Sequence, residues 1–238
     1  MSNSLKSPAA HKVKCLAVNT ATKTLSIALV EGENLLHFYE TGETRDQGNL
    51  LLNHILDGLR ENGLGFADLD VLAVVTGPGS FTGIRIGLAT MRGIALAADR
   101  PLIGFSSFDM FAARSPDRVN IVAVESWREE LYFAVMDEEG HPLIACGNET
   151  PEAFTERFSR EFLGKHPILL SGDAAERMTG LLPDAELAGV RGNAACVAHL
   201  AWEKFSIGGA PDVMPVPYYL READVTISVK SARILKEK

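Results

Sequence analysis

One order of apolar strands and amphipathic helices occurs twice in this chain, and that doubling restricts the folds open to it more than any single motif does. In the first half, Val13–Val18, Thr24–Val30 and Leu35–Tyr39 read as strands, apolar and bounded by turn residues. Glu31-Gly32-Glu33-Asn34 forms the hairpin turn between the second and third. An amphipathic helix over Asp46–Asn62 carries Leu51, Ile55, Leu56 and Leu59 on one side. Val71–Val75 is a buried strand, Ile84–Ala98 a helix and Pro101–Phe105 a further strand. Ser106 or Ser107 caps a short helix over Phe108–Arg114. The order then restarts with strands at Val119–Val124, Glu130–Met136 and Leu143–Cys146. A helix opens at Thr150-Pro151 and runs to Leu163, Pro167–Ser171 is a strand, and a helix lies near Ala174–Leu181. A βββαβα unit repeated at an offset of roughly a hundred residues implies two sheets, each with helices laid on it. Asn193–Ile207 is a last helix, ended by Gly208-Gly209, and the prolines of Met214–Arg221 hold that segment extended.

Between the fourth strand and its helix lies Thr76-Gly77-Pro78-Gly79-Ser80-Phe81-Thr82-Gly83-Ile84-Arg85. A strand, a Gly-rich turn and a helix N-terminus together aim backbone N–H groups forward, where the helix dipole favours an anion. No Gly-Lys-Ser/Thr ends the stretch, so it is not a phosphate-binding P-loop. The spacing of Gly83 is not that of the dinucleotide fingerprint, and Pro78 stands where a nucleophile elbow needs Gly. Three readings stay open: a turn with Ser80 or Thr82 capping a core helix, an anion site, or a partner surface. The helix that follows is rich in small residues, with Gly83, Gly87, Thr90 and Gly93 beside Ala89 and Ala97. Each internal glycine costs about 1 kcal/mol of helix propensity, which close approach of another backbone would offset. Arg85 and Arg92, seven apart, share nearly one face, as solvated charges or as an interface or phosphate stripe.

The net charge of −8 and a pI near 5.3 argue against this chain holding nucleic acid by itself, since such binding rests on clustered Lys and Arg. Cys15, Cys146 and Cys196 are far apart and sit in apolar or Ala-rich runs, as buried thiols of a reducing compartment do. No apolar run approaches the ~20 residues of a membrane helix. Met1–Lys12 reads as a polar, frayed leader, and the basic stretch from Lys230 as a solvated tail.

Three stretches together resemble the TsaB family: Val-Lys-Cys-Leu-Ala-Val-Asn-Thr-Ala-Thr at Val13–Thr22, Gly77–Ala89, and Pro-Tyr-Tyr-Leu-Arg at Pro217–Arg221. The resemblance implies an α/β fold of tandem actin-like (ribonuclease H-like) lobes. It divides the chain into a leader (1–12), a first lobe (13–105), a second lobe (106–192), a helix and extended segment packing back on the lobes (193–221) and a tail (222–238). It implies a cytoplasmic, non-catalytic scaffold that works with TsaD and TsaE to form threonylcarbamoyladenosine at position 37 of tRNAs reading codons that start with A. TsaD would carry the metal and the chemistry, and tRNA would be met only through the complex. In isolation such a chain forms a homodimer. The resemblance places partner contacts on the helix matching Thr82–Ala98 and on its neighbour Asp46–Asn62. Candidate interface residues are therefore Gly83, Arg85, Gly87, Thr90, Met91 and Gly93. A phosphate or nucleotide would meet Thr20, Thr22, Gly77, Gly79, Ser80 and Thr82, with no intrinsic cofactor and with ATP or ADP and Mg at the complex interface.

Several positions depart from the family pattern. Asn19 replaces the strand-end aspartate with which ATPases of this fold hold Mg, and an amide has no charge to offer a hard cation. Strand-end turn chemistry is the plainer role for Asn19. Glu125-Ser126-Trp127-Arg128 stands in place of Asp-Ala-Arg, though Glu130 and Tyr132 keep the Glu-x-Tyr that follows, and Gln47 stands in place of a common His. No two of the six histidines are four apart, so the paired-histidine metal site of TsaD-like catalysis has no counterpart. The competing readings are an ATPase or small-molecule kinase of the same fold and a metallopeptidase-like protein.

Overall fold

The computed structural model describes residues 12–42, 47–113, 115–161 and 166–221. Most of the expected leader, the whole expected tail, Asp46, Arg114 and the Leu163 helix end lie outside the described residues. Among the described residues, ten strands form two five-stranded sheets. The first holds β1 (Lys14–Asn19), β2 (Leu25–Glu31), β3 (Asn34–Thr41), β4 (Val71–Val75) and β5 (Leu102–Phe105) in the order β3-β2-β1-β4-β5. The second holds β6 (Val119–Glu125), β7 (Leu131–Met136), β8 (Pro142–Glu149), β9 (Ile168–Ser171) and β10 (Glu186–Leu187) in the order β8-β7-β6-β9-β10. Renumbered from its own first strand, the second sheet has the order of the first. In each, the opening three strands form an antiparallel meander and the fourth joins the first in parallel.

The helices are α1 (Gln47–Glu61), α2 (Phe81–Ala98), α3 (Ser107–Phe111), α4 (Pro151–Glu161) and α5 (Ala194–Gly208). Caps fall where short polar side chains precede them: Ser80 accepts from Gly83 N–H, Ser106 from Asp109 N–H and Asn193 from Ala195 N–H. The second copy is the shorter. Where a helix is expected near Ala174–Leu181 there is one 3-10 turn, Ala175–Met178, and the two-residue strand β10 has no apolar run by which sequence could reveal it. Leu143–Cys146 extends to Pro142–Glu149 because pairing with β7 continues past the apolar residues.

Strand alternation distributes the core. From β6, Ile121 and Ala123 face Phe154, Phe158 and Met178, while Val122 and Val124 join the larger core built on the first sheet. That larger core takes in Val197, Ala198 and Ala201 of α5, which packs along β1, β2 and β4. The centre of the first sheet is therefore buried on both faces, and β1, β2 and β4 read as near-continuous apolar runs. A backbone hydrogen bond from Tyr218 N–H to the Thr76 carbonyl (2.9 Å) carries the chain after α5 back to the Gly-rich turn.

Candidate functional site

The Gly-rich turn after β4 is built against the β1–β2 turn of its own sheet. Asn19 closes that second turn, accepting from Ala21 N–H at 3.0 Å and donating to Thr22 Oγ1 at 2.8 Å. Both ends of its amide are thus spent on turn geometry, the Asx arrangement that its residue type favours. Ser80 N–H donates to the Ala21 carbonyl (2.7 Å), and Gly79, at φ +150°, lies so close to that carbonyl that a Cβ would overlap it. On the other side, the Gly77 carbonyl accepts from Ser107 N–H (2.8 Å) and the Pro78 carbonyl from Ser107 Oγ (2.6 Å).

These contacts redistribute the residues expected to meet a phosphate. Thr20 Oγ1 donates to the Gly83 carbonyl (2.7 Å) and Thr22 Oγ1 to the Thr24 carbonyl (3.3 Å), both with their hydroxyls buried. Gly77 is buried as well, so a Cβ there would press on Ile84 and on the Tyr218 carbonyl. Thr20, Thr22 and Gly77 therefore stitch the lobe together rather than facing a ligand. Gly79, Ser80 and Thr82 line a cleft that continues to Ser126–Arg128 and to Tyr218–Arg221. Of the three readings of the turn, the cap is realised by Ser80, whose oxygen accepts from Gly83 N–H at 3.2 Å.

The small residues of α2 divide in the same way. Gly83 and Gly87 are buried against Thr20 of β1's turn, where a Cβ would overlap the Thr20 carbonyl and hydroxyl. Met91 is fully buried. The expectation that a sister chain lies over Gly83, Gly87 and Met91 is corrected: the close backbone approach is intramolecular, helix onto strand end. A Cβ on Gly93 would meet nothing within 4 Å. Gly93 and Thr90 instead line an open apolar groove of about 580 Å³ between α1 and α2, with Leu52, Phe66, Ala89 and Ala97. Leu56, expected on the buried side of α1, is 44% exposed like Leu52, since only Leu51, Ile55 and Leu59 reach the core.

Arg85 and Arg92 work within the chain. Arg92 donates through Nε (3.1 Å) and Nη2 to the Pro215 carbonyl. Arg85 donates to Tyr219 Oη (3.1 Å) and lies 3.6 Å from the centre of the Phe81 ring. Together they bind the extended segment Met214–Leu220 along α2 as a strap. Partial burial and then a hydrogen bond with Cys146 push the Tyr218 hydroxyl up to about 12. Complete burial raises the Cys15 thiol far above its ordinary value, which keeps it neutral and unreactive.

In the second sheet, Glu125 accepts from the N–H groups of Ser126 (3.2 Å) and Trp127 (3.0 Å) and pairs with Arg177 (2.8 Å). Arg177 also donates to the carbonyls of Arg128 and Glu129. The unusual Glu125–Arg128 segment is thus braced, with Trp127 held at φ +58°. Sequence reasoning had no signal for this bracing, because Arg177 lies 52 residues away. Among the described residues, no three His, Cys, Asp or Glu side chains gather within reach of one metal ion. None of the described helices is long and apolar enough to cross a membrane.

Comparison with known proteins places these features. The family model of TsaD, tRNA N6-adenosine threonylcarbamoyltransferase, matches residues 45–155. The tRNA threonylcarbamoyladenosine biosynthesis protein TsaB of Escherichia coli is 34% identical over 160 residues, 62% of this chain and 67% of that one. The Haemophilus influenzae protein of the same name is 34% identical over 128 residues, 52% of this chain and 54% of its own length. YeaZ from Pseudomonas aeruginosa superposes with a TM-score of 0.70 at 23% identity, covering 87% of this chain and all of that one. The fold is the expected tandem-lobed, actin-like α/β architecture, and with a relative at 34% identity matched over two thirds of its length, the chain belongs to the TsaB family.

Proposed function

We propose that this chain is a cytoplasmic, non-catalytic scaffold subunit in the formation of threonylcarbamoyladenosine on tRNA, with the α1–α2 groove as its docking face for TsaD. The names of the TsaB relatives supply the pathway. The observation that carries the docking role is the groove itself, where Leu52 stands 44% exposed beside Ala89, Gly93 and Ala97. A helix that keeps Gly and Ala on its outer face lets a second helix approach closely, and an apolar groove left in water favours covering. On this reading the same face serves a homodimer when TsaD is absent. TsaE completes the complex, tRNA is met through it, and ATP or ADP with Mg belongs to the assembled interface. The lobes divide as 13–105 and 106–192, with 193–221 packed back on both. Asn19 argues against an ATPase or kinase, since its amide is consumed by the β1–β2 turn where a magnesium-holding carboxylate would be needed.

Reconstitution tests the reading. Purified chain mixed with the TsaD and TsaE of the same organism should modify tRNA, and omission of the chain should abolish modification. Gly93→Arg should fold normally yet lose co-purification with TsaD. Undiminished modification without the chain would refute the scaffold role.

A further inference from the structure

The strap runs antiparallel to α2. Arg85 holds Tyr219 and Arg92 holds the Pro215 carbonyl, so rising helix numbers meet falling strap numbers. The two spans agree in length. From Arg85 to Arg92 the helix rises about 10 Å, and from Tyr219 back to Pro215 an extended chain covers about 13 Å. Continued by about 6 Å, this register sets Val213 beside Leu96, one turn beyond Arg92.

The side chains lined up in this way point into water. Leu96 is 81% exposed, Val213 75% and Val216 65%. Met214 and Tyr219 are exposed as well, and from Val213 to Leu220 the chain holds no charged residue. On α2 the helical period puts Leu96 next to Ala89 and Gly93, which line the α1–α2 groove. The apolar surface therefore passes from the groove over Leu96 and onto the strap. Single exposed apolar side chains are ordinary on any protein, whereas a contiguous strip of them marks an interaction site.

Size argues that a partner needs both parts. Ten residues line the groove, whereas a stable interface takes about 20–30 residues from each chain. The family model of TsaD matches residues 45–155, a span that holds both α1 and α2. A TsaD chain thus carries counterparts of the two groove helices and can lay such a pair along them. A helix is about 10 Å across, wide enough to rest in the groove and touch the strip at its side.

We infer that the docking face for TsaD extends beyond the groove, over Leu96 and onto the strap, where Val213 and Val216 are covered by the same partner chain. The inference rests on the groove being the docking face.

Surface plasmon resonance of the full chain against purified TsaD of the same organism tests it. Gly93→Arg probes the groove, while Leu96→Glu, Val213→Glu and Val216→Glu probe the strip. Each strip variant should weaken binding by roughly tenfold or more, since it moves a charge into a desolvated contact. Val216→Leu should bind as the parent does, and so should Leu143→Glu, on exposed surface of the second sheet. Melting temperatures should not fall, because the substituted side chains are exposed and outside the core. If a strap variant nevertheless melts lower, amide exchange of the parent chain decides: Val213, Met214 and Val216 should exchange more slowly once TsaD is added. Loss of binding by Gly93→Arg, with parental binding by Val213→Glu and Val216→Glu, would overturn the inference and leave the groove reading intact. Unchanged exchange of the strap on addition of TsaD would overturn it as well. Parental binding by Gly93→Arg would instead overturn the groove reading, and this extension with it.

Discussion

At the residue scale, glycines of one helix carry opposite duties. Gly83 lies where the Thr20 carbonyl leaves no room for a methyl group, and a backbone obstacle cannot rotate away. Gly93 faces open space. Gly83→Ala should therefore destabilise the chain by about 1–3 kcal/mol, as overpacking does. Gly93→Ala should instead raise stability by about 1 kcal/mol through helix propensity alone. Thermal melts of the two variants should move in opposite directions, and equal shifts would refute the division. Periodicity places these residues on one helix but assigns them no neighbours. The burial of Gly83 was hidden because its partner, Thr20, is 63 residues away. Asn19 was more legible: a short amide at a strand end bonds its own turn, and its role as turn chemistry follows from residue type.

At the element scale, the strap after α5 is the feature whose purpose sequence could not supply. Its prolines make it extended, and its attachment is polar: Arg92 to the Pro215 carbonyl, Arg85 to Tyr219, Tyr218 N–H to the Thr76 carbonyl. Gly104 allows Pro215 to sit close on β5, since a Cβ there would stand 2.6 Å from the proline ring. Arg92 and Arg85 share a face as their spacing implies, but the face is covered by the chain's own later residues. Arg92→Ala should cost about 1 kcal/mol, the order of a net hydrogen bond. Amide exchange of Leu220 and Tyr218 should quicken while that of β1 stays unchanged, and unaltered exchange in the strap would show that proline packing alone holds it.

At the scale of the whole molecule, two sheets of one strand order share a core through α5, leaving the α1–α2 groove and the inter-sheet cleft as separate surfaces. Covering the groove by a second copy makes association concentration-dependent. Sedimentation of the isolated chain should show a dimer that Leu52→Glu converts to monomer without lowering the melting temperature, because Leu52 lines the groove, is 44% exposed and its removal opens no core. A monomer at every concentration would remove the homodimer from the account. By itself, the sequence determined the doubled βββαβ order, the buried strands of the first sheet, the candidate helix caps and the family likeness. All of these are written in local periodicity, residue type and contiguous motif. The tertiary structure alone decided which face of α2 stays open, which arginines are spent on the strap, and that Trp127, Phe81 and Tyr219 meet across one cleft. Those facts depend on pairs of residues far apart in the chain, and no periodicity along it encodes which distant segment comes to rest against which.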